Sequence, residues 1–106
     1  MLAALGYEIL DRNYRTKYGE LDIVAVDCDA LVFCEVRARV GAHAIAYAFE
    51  SIGPNKRLQL HKMAREWFRL SAGDQPPTKT TRFDAIAVAM TSDGRILSIE
   101  HVRDAF

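Results

Sequence analysis

Two apolar, β-branched runs separated by a short turn constrain this fold more than any other feature of the chain. The runs Glu20–Val26 and Ala30–Arg39 are typical of strands, because strands favour β-branched residues and alternate their side chains between two faces. The residues between the runs have turn composition. The sequence therefore predicts an antiparallel hairpin in which Val26 lies opposite Leu31.

Charged side chains inside this apolar hairpin give the strongest indication of function. In the predicted register, Asp22 lies opposite Glu35, and Glu20 lies opposite Arg37. Directly opposed carboxylates repel each other, and a cation between them relieves the repulsion. Two structural alternatives remain open. The Asp22 and Glu35 side chains could form an exposed pair at a sheet edge, and Glu20 could form an ordinary cross-strand salt bridge with Arg37.

The same carboxylates suit a hard divalent cation. Mg²⁺ and Mn²⁺ prefer oxygen ligands, and Mg²⁺ is often held by one or two carboxylates together with water and phosphate. We expect Asp22 and Glu35 to be the metal ligands, with Glu20 as a third ligand, direct or through water. Arg37 stays protonated and cannot act as a general base, so its expected catalytic role is electrostatic.

An amphipathic helix is predicted over residues 55–71, since apolar side chains recur there at helical spacing. Lys56 falls on the same face as Leu60 and Trp67 and could reach the carboxylates as a second cation. A lysine that merely extends its ammonium group to solvent is the equal alternative. A basic stripe on the helix predicts contacts with a nucleic-acid backbone, with a solvated helix face as the alternative. Its proposed binding residues are Arg57, Lys62, Arg65 and Arg69.

The rest of the chain predicts an α/β fold with a central mixed sheet flanked by helices. Further strands are expected at Tyr7–Tyr14, Phe83–Met90 and Ile96–Val102. The stretch Gly41–Phe49 is ambiguous between a loop and a short helix. The first residues resemble the last turn of a helix that ends at Gly6, which gives the order α-β-β-β-α-β-β.

Composition narrows the class of protein. At 106 residues the chain is long enough for a single domain over residues 1–106, and its formal net charge of zero gives no overall attraction to nucleic acid or membrane. No apolar run approaches the roughly 18 residues needed to span a bilayer. The two cysteines, Cys28 and Cys34, have no metal-binding spacing and suggest the reducing cytoplasm, with Cys34 buried.

Several other polar and aromatic residues have a structural interpretation. Asp84 lies opposite Arg103 in the predicted final hairpin and is expected to form a structural ion pair. Trp67 and Phe68 are expected in the core rather than on a base-stacking surface. The three histidines show no ligand spacing and are expected to be non-catalytic.

Six motifs in order resemble the YraN-like family of small bacterial proteins. They are GYEILDRNYR, GELDIVAVD, LVFCEVRAR, ESIGPNKRLQL, RFDAIAV and IEHVRDAF, and they span Gly6 to Phe106. That family is grouped with the restriction-endonuclease-like superfamily and is similar to archaeal Holliday-junction resolvases. The resemblance implies a metal-dependent phosphodiesterase core, with most of the family's N-terminal helix missing from this chain. Arg37 stands where the superfamily usually has a lysine, and Lys56 could take over part of that role.

These observations support three hypotheses of function. The first is a Mg²⁺- or Mn²⁺-dependent endonuclease that hydrolyses structured or single-stranded DNA, acting as a homodimer if it cuts both strands of a duplex. The second is a nucleic-acid-binding module of a DNA-processing assembly without catalytic activity. The third is a protein-interaction scaffold.

Overall fold

The fold is described from a computed structural model, which covers residues 6–41, 43–71 and 78–105. The elements in chain order are β1 (Glu8–Thr16), β2 (Gly19–Asp27), β3 (Ala30–Val40), α1 (Ala44–Glu50), α2 (Pro54–Leu70), β4 (Thr80–Met90) and β5 (Ile96–Val102). The ambiguous stretch after β3 thus contains a short helix. The helix end predicted at the start of the chain lies outside the described residues, apart from Gly6, whose φ of +88° suits a C-terminal cap.

The five strands form one mixed sheet in the order β1-β2-β3-β4-β5. Neighbouring strands are antiparallel except for β3 and β4, which run parallel. A parallel pair needs a long crossover, and here the chain between β3 and β4 contains α1 and α2. The predicted register is confirmed, because Val26 lies opposite Leu31. Cys28, at φ +55°, occupies the two-residue turn between the strands.

The buried side of α2 packs on one face of the sheet. Helix α2 begins at Pro54, which tolerates the first helical position because its missing N–H would have no partner there. The helix buries Leu60, Met63 and Trp67 against strand residues that include Phe33. Trp67 also donates its indole N–H to Asp11 Oδ2 at 2.7 Å. The prediction that Trp67 and Phe68 belong to the core is confirmed.

The other face of the sheet has its own apolar cluster and a buried ion-pair network. Tyr7, Val32, Cys34 and Ile86 lie in the cluster, so the predicted burial of Cys34 is confirmed. Asp84, fully buried, completes this face and forms the predicted structural ion pair.

The predicted partner of Asp84 was wrong. Its carboxylate pairs with Arg82, at 2.8 Å, and with His101, at 2.7 Å. Arg82 lies two residues before Asp84 on the same strand face, whereas the Arg103 guanidinium lies 5.9 Å from the centre of the Tyr7 ring. The nearer side chain on the same strand therefore takes the position expected for Arg103.

Strand β5 forms one edge of the sheet and is largely exposed. Its apolar side chains Ile96, Leu97, Ile99 and Val102 all contact solvent. Over the part of the chain that the structure describes, neither helix is long and apolar enough to cross a membrane.

Candidate functional site

Glu35 is the buried acid at the centre of the candidate site. It follows Leu31 and Phe33 at alternate positions of β3, so its side chain points to the face covered by α2. Only 1% of the residue is exposed. Its Oε1 atom lies 3.1 Å from Arg37 Nη2 and 3.5 Å from Lys56 Nζ. Its Oε2 atom is buried and has no hydrogen-bond partner among the described residues.

The charge on Glu35 is only partly compensated. Burial raises the pKa of Glu35, and the nearby charge of Asp22 raises it further, while Lys56 and Arg37 lower it. The net direction is upward, so the two cations do not fully offset the cost of burying this carboxylate. A further positive charge or a proton at Oε2 would stabilise the side chain.

Asp22 lies beside Glu35, but not in the predicted cross-strand pair. The paired ladder of β2 and β3 ends at Ile23 and Cys34, one position before Asp22 and Glu35 would meet. Asp22 Oδ2 instead accepts a hydrogen bond of 2.8 Å from the backbone N–H of Val36. The carboxylate thereby takes the place of a backbone acceptor.

An open cleft borders Asp22. It is lined by Arg12, Asn13, Asp22, Ile23 and Val36.

The cleft beside Asp22 measures about 420 Å³ and carries positive charge as well as the acid. Arg12 is exposed at its rim, and the adjacent Asn13 adopts a left-handed φ of +52°, which asparagine tolerates better than most residues. Sequence reasoning did not select Arg12. Its only signal was its position opposite Ile23 on the neighbouring strand β1, next to the acidic hairpin. Ile23 and Val36 pack on the sheet face opposite α2, so Arg12 and this cleft lie on the other side of the sheet from the Glu35 side chain.

Arg37 and Lys56 reach Glu35 from two different elements. Arg37 extends from β3 and Lys56 from the first turn of α2, so the expectation that Lys56 reaches the strand carboxylates is confirmed as geometry. Arg37 Nε is buried and lacks a hydrogen-bond partner among the described side chains and backbone. The catalytic roles of both residues stay predictions.

Glu20 lies apart from the buried pair. Its carboxylate is 3.7 Å from Arg15 Nε, in a largely exposed contact with the neighbouring strand β1. The alternative salt bridge between Glu20 and Arg37 is therefore not formed, because Arg37 turns to Glu35. Within residues 6–41, 43–71 and 78–105, no three histidine, cysteine or acidic side chains converge as a metal site. Any ion here would rest on Asp22 and Glu35, with water completing its shell.

The basic residues of α2 divide between two flanks of the helix. Arg57 lines a small space with Ala85 and Val102, on the side of the last strands. Lys62 lies on the opposite flank, with its ammonium group 5.8 Å from the centre of the Tyr18 ring. Arg65 is exposed, and Arg69 forms an ion pair with Glu66. The predicted nucleic-acid contacts of these four cations stay predictions.

Comparison with known proteins places the chain among bacterial relatives. A family model described as "Uncharacterised protein family UPF0102" matches residues 1–88. A UPF0102 protein of Magnetococcus marinus is 44% identical over 106 residues, which cover all of this chain and 82% of the relative. A UPF0102 protein of Frankia casuarinae is 40% identical over 105 residues, which cover 99% of this chain and 85% of the relative. The predicted resemblance is confirmed, and the chain belongs to the UPF0102, or YraN-like, family.

Proposed function

We propose that this protein is a metal-dependent nuclease that hydrolyses phosphodiester bonds in structured or single-stranded DNA. The observation that carries the proposal is the buried, unpartnered Oε2 atom of Glu35 beside the Asp22 carboxylate. A buried carboxylate oxygen without a partner is costly, and such groups persist where a ligand or ion completes them. Asp22 and Glu35 would hold Mg²⁺ or Mn²⁺, the cofactor that oxygen ligands of this kind prefer.

The donor set fits such an ion. Mg²⁺ needs only one or two carboxylates when water and substrate phosphate fill the other positions. Asp22 offers Oδ1 and Glu35 offers Oε2, while their other oxygens are engaged by the Val36 N–H and by Arg37 and Lys56. When bound, the metal would polarise the phosphate and lower the pKa of the attacking water.

The protein's own cations act on the substrate's negative charge. Arg37 and Lys56 lie beside Glu35, where they would stabilise the charge that develops on phosphorus. Glu20 is an accessory acid in this proposal, and its exposed position suits a contact through water.

The mixed sheet, with acids on the adjacent strands β2 and β3, supports a restriction-endonuclease-like fold. The free thiols Cys28 and Cys34 suit the cytoplasm. Because the proposed site holds one ion between two acids, cleavage of both strands of a duplex would need a homodimer. Arg57, Lys62, Arg65 and Arg69 remain the proposed backbone contacts on α2.

A catalytically inactive nucleic-acid-binding module is the second candidate. Two cations already contact Glu35 Oε1, so they offset part of its charge without a metal. In that case the cluster would be a structural feature of the core. The exposed apolar edge of β5 favours the third candidate, a protein-interaction scaffold.

Cleavage of a panel of branched and single-stranded DNAs in Mn²⁺ tests the first proposal. We expect nicking by the wild-type protein and a loss of at least about 100-fold in the Glu35→Gln and Asp22→Asn variants, since each removes a ligand charge. Glu100→Gln, which alters an exposed acid on β5, is the matched control and should cut at the wild-type rate. Nicking that persists in Glu35→Gln would contradict the proposal.

A further inference from the structure

At the turn that joins β1 and β2, an exposed aromatic ring lies close to two lysines. Tyr18 is 39% exposed. Lys17 Nζ lies 5.3 Å and Lys62 Nζ 5.8 Å from the centre of its ring. Lys17 belongs to the turn, whereas Lys62 comes from α2, so two separate elements bring positive charge to one aromatic surface.

The turn that carries Tyr18 is fixed on both sides. Thr16 Oγ1 accepts a hydrogen bond from the Tyr18 N–H at 3.1 Å and donates one to the Gly19 carbonyl at 3.0 Å. On the helix side, Gln59 donates its side-chain amide to the Tyr18 carbonyl. The backbone that carries the ring is therefore held in place before any ligand arrives, which lowers the entropy cost of binding.

The close fit of the turn on α2 depends on Gly19. A Cβ atom there would lie 2.7 Å from Gln59 Nε2 and 3.3 Å from Met63 Sδ, and the φ of +135° is a conformation that side chains rarely adopt. The chain thus places a glycine where the turn approaches the helix, and Tyr18 projects beside that contact point.

The platform and the candidate site lie along one helix. Lys56, which contacts Glu35, and Lys62, which approaches Tyr18, are six residues apart on α2. At 1.5 Å per residue this is about 9 Å along the axis, the length of roughly two to three stacked nucleotides at about 3.4 Å each. Gln59 lies between them and holds the turn. A single strand with a phosphate near Lys56 could place a base two or three nucleotides away at Tyr18.

We propose that Tyr18, with Lys17 and Lys62, forms a base-stacking platform for single-stranded nucleic acid, a role that rests on the proposed nuclease function. The lysines need not leave the surface when a base arrives. An exposed cation–π contact is weaker than a base–aromatic stack, so the incoming base displaces an ammonium group from the ring. The displaced ammonium then pairs with the adjacent phosphate. A single strand fits better than a duplex, because only unpaired bases can stack on a protein ring.

Binding to two oligonucleotides of equal charge tests the platform without cleavage. The probes are a fluorescent 12-nucleotide thymidine strand and an abasic strand of the same length, measured by anisotropy in EDTA at fixed salt. Wild type should bind the thymidine strand more tightly than the abasic strand. Tyr18→Ala should weaken thymidine-strand binding about tenfold and remove that preference, whereas Tyr18→Phe should restore both.

Tyr47→Ala is the matched control, since Tyr47 is an exposed tyrosine on α1. It should bind as wild type does. The proposal is overturned if wild type shows no preference for bases, or if Tyr18→Ala and Tyr47→Ala lose the same affinity. Because the assay needs no metal, base-dependent binding without Mn²⁺-dependent nicking would retain the platform and reject the nuclease. Nicking that depends on Glu35, without base-dependent binding, would do the reverse.

Discussion

Two buried acids on opposite faces of the sheet have opposite environments. Asp84 is 0% exposed, and its carboxylate pairs with Arg82 and His101 and accepts the Asp104 backbone N–H. Glu35 is 1% exposed, and one of its oxygens has no partner in the described parts of the chain. Burial alone would raise both pKa values, but the hydrogen bonds to Asp84 reverse the direction there, whereas Glu35 remains raised.

The difference separates a structural carboxylate from one available for chemistry. Arg82 bridges Asp84, Asp27 and the Tyr7 hydroxyl, and Asp84 also bonds His101, so the network ties β2, β4 and β5 together. Among the described residues, Glu35 links only β3 and α2, through cations that are themselves partly exposed. A carboxylate with hydrogen-bond partners on both oxygens has no atom left for a ligand, whereas a carboxylate with an unpartnered oxygen can bind one.

Asp84→Ala should produce the largest change in stability. Removing one partner of a buried network leaves Arg82 without its main acceptor, and such losses typically cost about 3–5 kcal/mol. We expect a fall in the free energy of unfolding of that order, measured by urea denaturation at pH 7. A cost below about 1 kcal/mol would show that the two acids are less different than the structure indicates.

A divalent ion should stabilise the protein through Glu35 and not through Asp84. Binding to the folded state at ten times Kd adds about 1.4 kcal/mol of stability. We therefore expect Mn²⁺ to raise the Tm of wild type and of Glu100→Gln, and to leave the Tm of Glu35→Gln unchanged. An equal shift in all three proteins would place the ion elsewhere.

Glu35→Gln should stabilise the metal-free protein at neutral pH. Its raised pKa means that the folded state disfavours the charged form, so a neutral isostere should raise the Tm. The penalty exists above the raised pKa and disappears as the pH falls toward 4.5, the ordinary value. The Tm difference between variant and wild type should therefore be largest at pH 8 and should disappear near pH 4.5. A difference independent of pH would exclude the charge as its cause.

Glu20→Gln should have the smallest effect on stability, because the Glu20 carboxylate is not buried as those of Asp84 and Glu35 are. Its contact with Arg15 is open to solvent, and exposed ion pairs contribute about 0–1 kcal/mol. We expect a change in unfolding free energy within about 0.5 kcal/mol and no change in the Mn²⁺ shift. A lost Mn²⁺ shift would make Glu20 a metal ligand after all.

The sequence predicted elements whose pattern is strong and local. Alternation in β2 and β3 fixed the pairing of Val26 with Leu31, and helical spacing placed Lys56 on the face that meets the sheet. Helix α1 was ambiguous because its alanine-rich sequence has no clear apolar period. These outcomes follow from patterns that repeat over a few residues.

Contacts decided by side chains from distant parts of the chain were not predictable. The β2–β3 ladder stops early, where the Val36 N–H donates to the Asp22 side chain instead of a backbone carbonyl. No local sequence pattern predicts that a side chain accepts this hydrogen bond. Arg82 displaced the expected partner of Asp84 because one guanidinium could satisfy three groups at once. The platform at Tyr18 depends on how α2 docks against the first turn, which the sequence does not specify.

The indole bond between α2 and β1 has an optical consequence. Trp67 is the single tryptophan of the chain, its ring is buried, and its N–H is bonded to Asp11. Its emission therefore comes from one environment, at the seam between the helix and the first strand. If the helix detached, water would reach the ring and the fluorescence would shift to the red. The intact chain thus carries its own sensor of whether the face that holds Glu35 is closed.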